Sequence, residues 1–313
     1  IEGGVGTERR FWTLLQDSSL LLVVGLALIP AFKMKFWNLG GNGQVLIGAL
    51  ATFAVMKFLG GVIPDGVVWI LMLLASVIAG AIWAVIPALF KAFFNTNESL
   101  FTLMMNYIAV VLVEYFEFQW KTGASNRIDP FPLANLPVIG DNKYLLTIFV
   151  ALIMTVFLAI YLRFSKHGYE ISVVGESQNT AKYIGINVKK VIIRTLILSG
   201  AMCGLVGLLL AGGINYTISP DTAQNMGFTG IMVAWLAKFN PFLMIISAFG
   251  IQFLTKGMGR VQKQFGITND AVSSIMIGII YFFVIACEFF ISYKINFNFK
   301  NKDKTKVSDG GKK

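Results

Sequence analysis

The sequence predicts an all-α, polytopic helical membrane protein with about nine membrane segments, and three observations carry that prediction. Hydrophobic residues make up 56% of the 313 residues and charged residues only 13%, with a mean hydropathy of +0.71. A soluble domain carries about a quarter charged residues, so this chain has too little polar surface to cover a globule in water. Long apolar runs recur along almost the whole length, separated by short polar stretches. The charges fall between those runs and in the tail, so the excess of 26 Lys+Arg over 16 Asp+Glu forms no single patch of the kind that binds nucleic acid.

A bilayer core of about 30 Å takes about 20 residues of helix, because open backbone groups are not tolerated in hydrocarbon. In chain order the apolar runs are 18–36, 44–59, 67–90, 99–118, 144–163, 191–213, 227–237, 241–257 and 271–293. Seven are long enough to cross. The run 44–59 is marginal in length. The run 227–237 is too short to cross alone and reads as a half-helix or as a continuation of the loop before it. Pro241 after Asn240 marks a sharp break before the next run.

Lys and Arg in the loops set the orientation. Between Arg163 and Arg194 lie Lys166, Lys182, Lys189 and Lys190, and the tail 294–313 holds seven lysines. Placing both in the cytoplasm and alternating outward brings Lys33, Lys35, Lys91 and Lys238 inside as well. It leaves Asp65, Asp129, Asp141, Asp221 and Asp270 outside. The C-terminus is then cytoplasmic and Ile1 external. Ile1 to Arg10 shows no charged-then-apolar signal pattern, and an external start without a signal points to an earlier helix absent from this chain. The expected organisation is one transmembrane domain over 1–293, with an external loop at 119–142, a cytoplasmic insert at 164–190 and a basic cytoplasmic tail at 294–313.

Catalysis has little to work with. Cys203 and Cys287 sit inside apolar runs, and His167 is the sole histidine, so no His-based metal site or triad can be assembled. No GxxxxGK[ST], HExxH or GxSxG stretch occurs, and no cofactor is implied. The chain reads as a non-enzyme, and any nucleotide hydrolysis belongs to separate subunits.

Polar features inside the apolar runs are more informative. The stretch Phe36 to Gln44 holds Gly40, Gly41 and Gly43 with Asn38, Asn42 and Gln44, giving tight turns and uncharged donors and acceptors. It is either an ordinary cytoplasmic turn or part of a pathway for a neutral, hydroxyl-rich solute, since irregular backbone at membrane depth survives only against protein or a water-filled cavity. Glu98, Thr102 and Asn106 recur at every fourth residue on an otherwise apolar helix. That stripe faces either a cavity or a neighbouring helix, with Asn97 as cap. Ser199, Gly200, Cys203, Gly204, Gly207 and Ala211 form a small-residue face for close helix packing. The insert 164–190 carries apolar residues among polar ones and is either a solvated connector or a docking element. Gly175, Glu176, Asn179, Ala181, Tyr183 and Gly185 are its candidate contact residues. Ser177 or Asn179 can cap a short helix that Gly185 ends, with Ala181, Tyr183 and Ile184 as apolar contact.

Four stretches together resemble the permease subunits of ATP-binding cassette importers for simple sugars and nucleosides. They are WNLGGNGQVLIGAL from Trp37, NESLFTLMMNYIA from Asn97, VGESQNTAKYIGINVKK from Val174 and GFTGIMVAWLAKFNP from Gly227. Asn42 departs from the acid usual in the nucleoside branch. The resemblance implies a ten-helix subunit of the vitamin B12-importer type, here without its first helix, in a bacterial cytoplasmic membrane. It also implies a second permease subunit, two cytoplasmic ATP-binding subunits, an external solute-binding lipoprotein, and coupling through 164–190. Purine nucleosides come first as solute, then pentoses or hexoses, then a riboflavin-like compound. The rival reading is an ion-coupled secondary transporter or a channel. It calls for ionisable groups at the midplane, whereas Glu98, Glu114, Glu117 and Glu288 sit near predicted span ends.

Overall fold

The computed structural model describes residues 6–121, 127–140, 142–264, 275–283 and 286. Its long helices are α1 (Glu8–Lys33), α2 (Gly41–Leu59), α3 (Asp65–Phe94), α4 (Glu98–Trp120) and α5 (Leu145–Phe164). Two short ones follow, α6 (Lys166–Glu176) and α7 (Gln178–Tyr183). Then come α8 (Val188–Leu208), α9 (Met226–Leu236) and α10 (Pro241–Gln264). Residues 275–283 are also helical, and among the described residues no strand forms.

Seven of these helices are long and apolar enough to cross a membrane, and α9 is the short apolar helix expected over 227–237. The segment expected at 271–293 and the tail 294–313 lie largely or wholly outside the described residues. Helix α1 starts at Glu8 rather than near residue 18. Thr7 flanks it in extended conformation, Glu8 suits the positive end of the helix dipole, and Leu14 continues the buried face outward. Hydropathy marks the part of a helix that sits in lipid, while the helix itself runs on until its chain direction changes.

Three helices form the centre. In its most apolar stretch α1 is 83% buried, and α2 and α8 are each 67% buried, against 22% for α3, α5 and α10 and 28% for α4. The outer helices bury one stripe each; α3, for example, buries Val68, Met72, Ser76, Gly80, Ala84, Pro87 and Ala88 and turns Ile70, Leu74, Ile78 and Ile82 outward. Lipid offers α3 no hydrophobic gain over protein, so its position rests on van der Waals fit between small residues. A Cβ added to Gly200 would lie 2.3 Å from the Gly80 carbonyl oxygen, and one on Gly204 would lie 2.2 Å from that of Ser76. On the other side of α8, a Cβ on Gly207 would lie 2.4 Å from the Ala49 nitrogen of α2. The small-residue face read from the sequence thus seats α8 between α3 and α2.

Helix α8 continues into a π-helical stretch, Leu209–Asn215. Its wide turns release carbonyls, and the segment 127–140 takes up backbone groups at this end: Leu136 N–H donates to Gly212 O (2.9 Å) and Phe131 N–H to Tyr216 O (2.8 Å). Trp69 Nε1 donates to Asn135 O (2.9 Å), so the described part of the loop, 127–140, is ordered over this end of the bundle.

At the opposite end α6 and α7 pack under α1 and α8. Ile171, Val174 and Ala181 join Ala31, Met34 and Val191 in one apolar cluster. Gly175 sits so close to the last turn of α1 that an added Cβ would fall 2.0 Å from Lys33 O. Arg194 of α8 pairs with Glu170 of α6 at 2.8 Å.

Candidate functional site

Asn106 lies eight residues into α4 and Ser199 eleven residues into α8, so at 1.5 Å per residue they sit about 12 and 16 Å along these helices. Both meet the stretch between α1 and α2. That stretch is therefore a turn that lies among the helices rather than beneath them.

Backbone at that depth needs protein partners, and the uncharged polar residues supply them. Asn38 Oδ1 accepts from Gly40 N–H (3.0 Å) and Gln44 Nε2 (3.3 Å), while Asn38 Nδ2 donates to Ser199 Oγ of α8 (3.2 Å). From α4, Thr102 Oγ1 accepts from Leu39 N–H (3.1 Å). Asn106 Nδ2 donates to Leu39 O (2.8 Å), and its Oδ1 accepts from Gly43 N–H (2.8 Å). Gly43 is in the first turn of α2, whose flanking Gly40 has no side chain to cap it. Asn106 thus caps α2 from a neighbouring helix. Asn42 does the same for α9, its Oδ1 accepting from Gly227 N–H at 3.3 Å. Gly227 has to be glycine there, because a Cβ would fall 2.4 Å from the Asn42 nitrogen.

Of the six sequence-predicted pathway residues, Asn38, Asn42, Gln44, Thr102 and Asn106 are all buried around this turn. Glu98 is not brought there. Its carboxylate pairs with Lys91 at 2.8 Å, tying the end of α3 to the start of α4, and Asn97 caps α4 through Ser99 N–H and Leu100 N–H. Most of the cluster's polar atoms are engaged within the protein. Among the described residues, Gln44 Oε1 and, one turn before Ser199, Thr195 Oγ1 are buried without a hydrogen-bond partner. The face of α4 beyond the cluster is apolar and exposed, through Met104, Tyr107, Ile108, Val111 and Tyr115. Sequence reading missed Ser199 and Gly227 as members. Ser199 sat in a run explained by packing, and a backbone N–H gives no side-chain signal.

Truncating Asn106 to Ala removes the cap of α2 and the partner of Leu39 O. At roughly 1–3 kcal/mol for each buried group left unpaired, the unfolding transition in detergent is expected to fall by several degrees. Asn106→Asp retains the acceptor toward Gly43 but sets a buried carboxylate oxygen against the Leu39 carbonyl, and is expected to lose at least as much. A wild-type transition for Asn106→Ala refutes the capping role.

The coupling candidates divide by direction. Ser177 Oγ accepts from Thr180 N–H (3.2 Å) and caps α7, and Gly185 ends the turn after it at φ +85°. Glu176, Asn179 and Gly185 are exposed, and Tyr183 is 91% exposed with Ile184 at 54%. Gly175 and Ala181 are buried, so Ala181 anchors α7 to the bundle and does not belong to an outward contact surface.

The profile of the family described as branched-chain amino acid transport system / permease component matches residues 11–285. The chain is 32% identical to the guanosine ABC transporter permease protein NupP of Bacillus subtilis over 88% of this chain and 79% of the relative. It is 27% identical to the glucose ABC transporter permease protein TsgB13 of Haloferax volcanii over 92% and 79%. With the nucleoside ABC transporter permease protein NupB of Lactococcus lactis it shares 26% identity over 93% and 81%. No solved structure is significantly similar to it.

Proposed function

The chain belongs to the branched-chain amino acid transport system / permease component family, and from that premise we propose that it carries a nucleoside into the cell as the permease subunit of an ATP-driven importer. The similarity to the guanosine permease over 88% of the chain carries this reading. A simple sugar is the second choice, because the glucose permease is similar over as much of its length. The buried cluster around this turn supports a neutral solute. Its side chains are uncharged amides and hydroxyls, and the N-termini of α2 and α9 that meet there are already capped by Asn106 and Asn42.

On this reading the subunit pairs with a second permease through the exposed face of α4, and the pathway runs between them. Asn38, Asn42, Gln44, Thr102 and Asn106 shape its wall from behind, and the Glu98–Lys91 pair lies at its inner end. Gly175, Glu176, Asn179, Tyr183 and Gly185 face or position the contact with two ATP-binding subunits, which hydrolyse the nucleotide. An external lipoprotein delivers the solute, and the C-terminus is cytoplasmic. Alternating access moves the solute across.

Reconstituted with these partners in proteoliposomes, the subunit is expected to support uptake of labelled guanosine only with ATP. Glucose in large excess is expected not to compete. ATP-dependent uptake of labelled glucose without transport of guanosine assigns the sugar instead. Uptake driven by an ion gradient with the permease alone overturns the ATP-driven reading in favour of a secondary transporter.

A further inference from the structure

The end of the bundle away from α6 and α7 carries a concentration of positive charge that the buried polar cluster does not involve. Arg9 and Arg10 stand on the first turn of α1, and Lys256, Arg260 and Lys263 on the last turns of α10. The two helix ends come together: Thr7, Arg9, Arg10, Thr13, Lys256 and Arg260 line one cleft of about 350 Å³. Lys256 pairs with Asp17. Among the described residues, Arg9, Arg10, Arg260 and Lys263 have no carboxylate within ion-pair distance, and Glu8 is the acid on the first turn of α1. On the orientation favoured by the basic loops this is the outer face, where basic residues run against the usual bias.

The depth of the cleft is marked independently. Trp12, one turn along α1, stacks on Tyr144 at the start of α5, with ring centroids 6.5 Å apart and planes within 8°. Such amphipathic rings sit at the boundary between headgroups and hydrocarbon. Leu14 closes the floor of the cleft, and Phe249 and Phe253 stack on each other further along α10, beneath Arg260. The cations therefore stand at headgroup level above apolar surface, with the hydroxyls of Thr7 and Thr13 beside them.

We propose that this cleft binds the headgroup of an anionic phospholipid. Arg10 and Arg260 take the phosphate, since a guanidinium offers two parallel N–H donors to phosphate oxygens. Thr7 and Thr13 meet the glycerol hydroxyls, and the acyl chains lie along α10. The lipid would join the outer end of α10 to α1, at the cleft where charge repulsion otherwise separates them. The inference rests on the chain's spanning a membrane and not on which solute it carries.

The test uses the whole transporter in nanodiscs of equimolar phosphatidylcholine and phosphatidylglycerol, with retained lipid counted by native mass spectrometry. Each basic residue near an anionic surface contributes about five-fold in affinity, so R10A/R260A is expected to bind phosphatidylglycerol about thirty-fold more weakly. R10K/R260K, which keeps the charge, is expected to lose much less. Wild type is expected to retain phosphatidylglycerol over phosphatidylcholine and to shed it as salt rises. Equal retention of both lipids by wild type overturns the proposal, and that measurement needs no variant to fold. Unchanged phosphatidylglycerol retention by R10A/R260A does so too. If that variant keeps its lipid but loses the external solute-binding protein, the patch is a protein-docking surface.

Discussion

Gly204→Val is expected to leave little folded subunit in the membrane. A Cβ at Gly204 falls 2.2 Å from Ser76 O of α3, and on the opposite side a Cβ on Gly48 of α2 would fall 2.5 Å from the Gly204 Cα. Both obstacles are backbone, so no side chain can swing away, and α8 has to part from α3 or α2. Ordinary overpacking costs about 1–3 kcal/mol. Separating the central helix from its neighbours forfeits much more of a stability that is itself only about 5–15 kcal/mol. Ile197→Val on the same helix, where the side chain is 41% exposed, is the matched control and is expected to behave as wild type. The yield of monodisperse subunit and its thermal transition measure the effect. Normal values for Gly204→Val contradict backbone contact between these helices.

Tyr183→Asp is expected to abolish ATP-driven uptake while leaving the subunit folded and inserted. Tyr183 is 91% exposed, at the end of a helix whose other side is fixed by Ala181. On the proposed coupling role, this exposed aromatic group is the anchor for the ATP-binding subunit. Anchors of this kind carry about 2 kcal/mol or more, about thirty-fold in affinity, before the added charge is counted. Stimulated ATP hydrolysis is expected to fall with transport, because both depend on the same contact. Ala181→Asp is a poorer probe. It places a carboxylate at a fully buried position against Ile171 and Val174 and is expected to unfold the insert. Full coupled activity in Tyr183→Asp reduces the insert to a solvated connector.

The two experiments separate what was visible in the chain from what was not. Apolar run length located the spans, because lipid imposes one rule on every backbone group that crosses it. The four-residue spacing of Gly200 and Gly204 was equally legible, since close helix contact demands a row without side chains. The short α9 and the cap and glycine stop around α7 could be read for the same reason, as local chemistry fixing local shape.

The direction of a polar side chain followed no such local rule. Spacing put Glu98, Thr102 and Asn106 on one stripe, yet Glu98 turns to Lys91 while the other two serve the turn between α1 and α2. Asn42 and Asn106 each cap a helix far away in sequence, and Ala181 and Tyr183, two residues apart on a six-residue helix, face opposite ways. Sequence alone determined that this protein spans a membrane with helices, and where most of them lie, because the solvent dictates that pattern residue by residue. Only the tertiary structure decided which polar groups are held within the protein and which face outward. A hydrogen bond or a buried face is settled by whichever group the packed helices bring within about 3 Å.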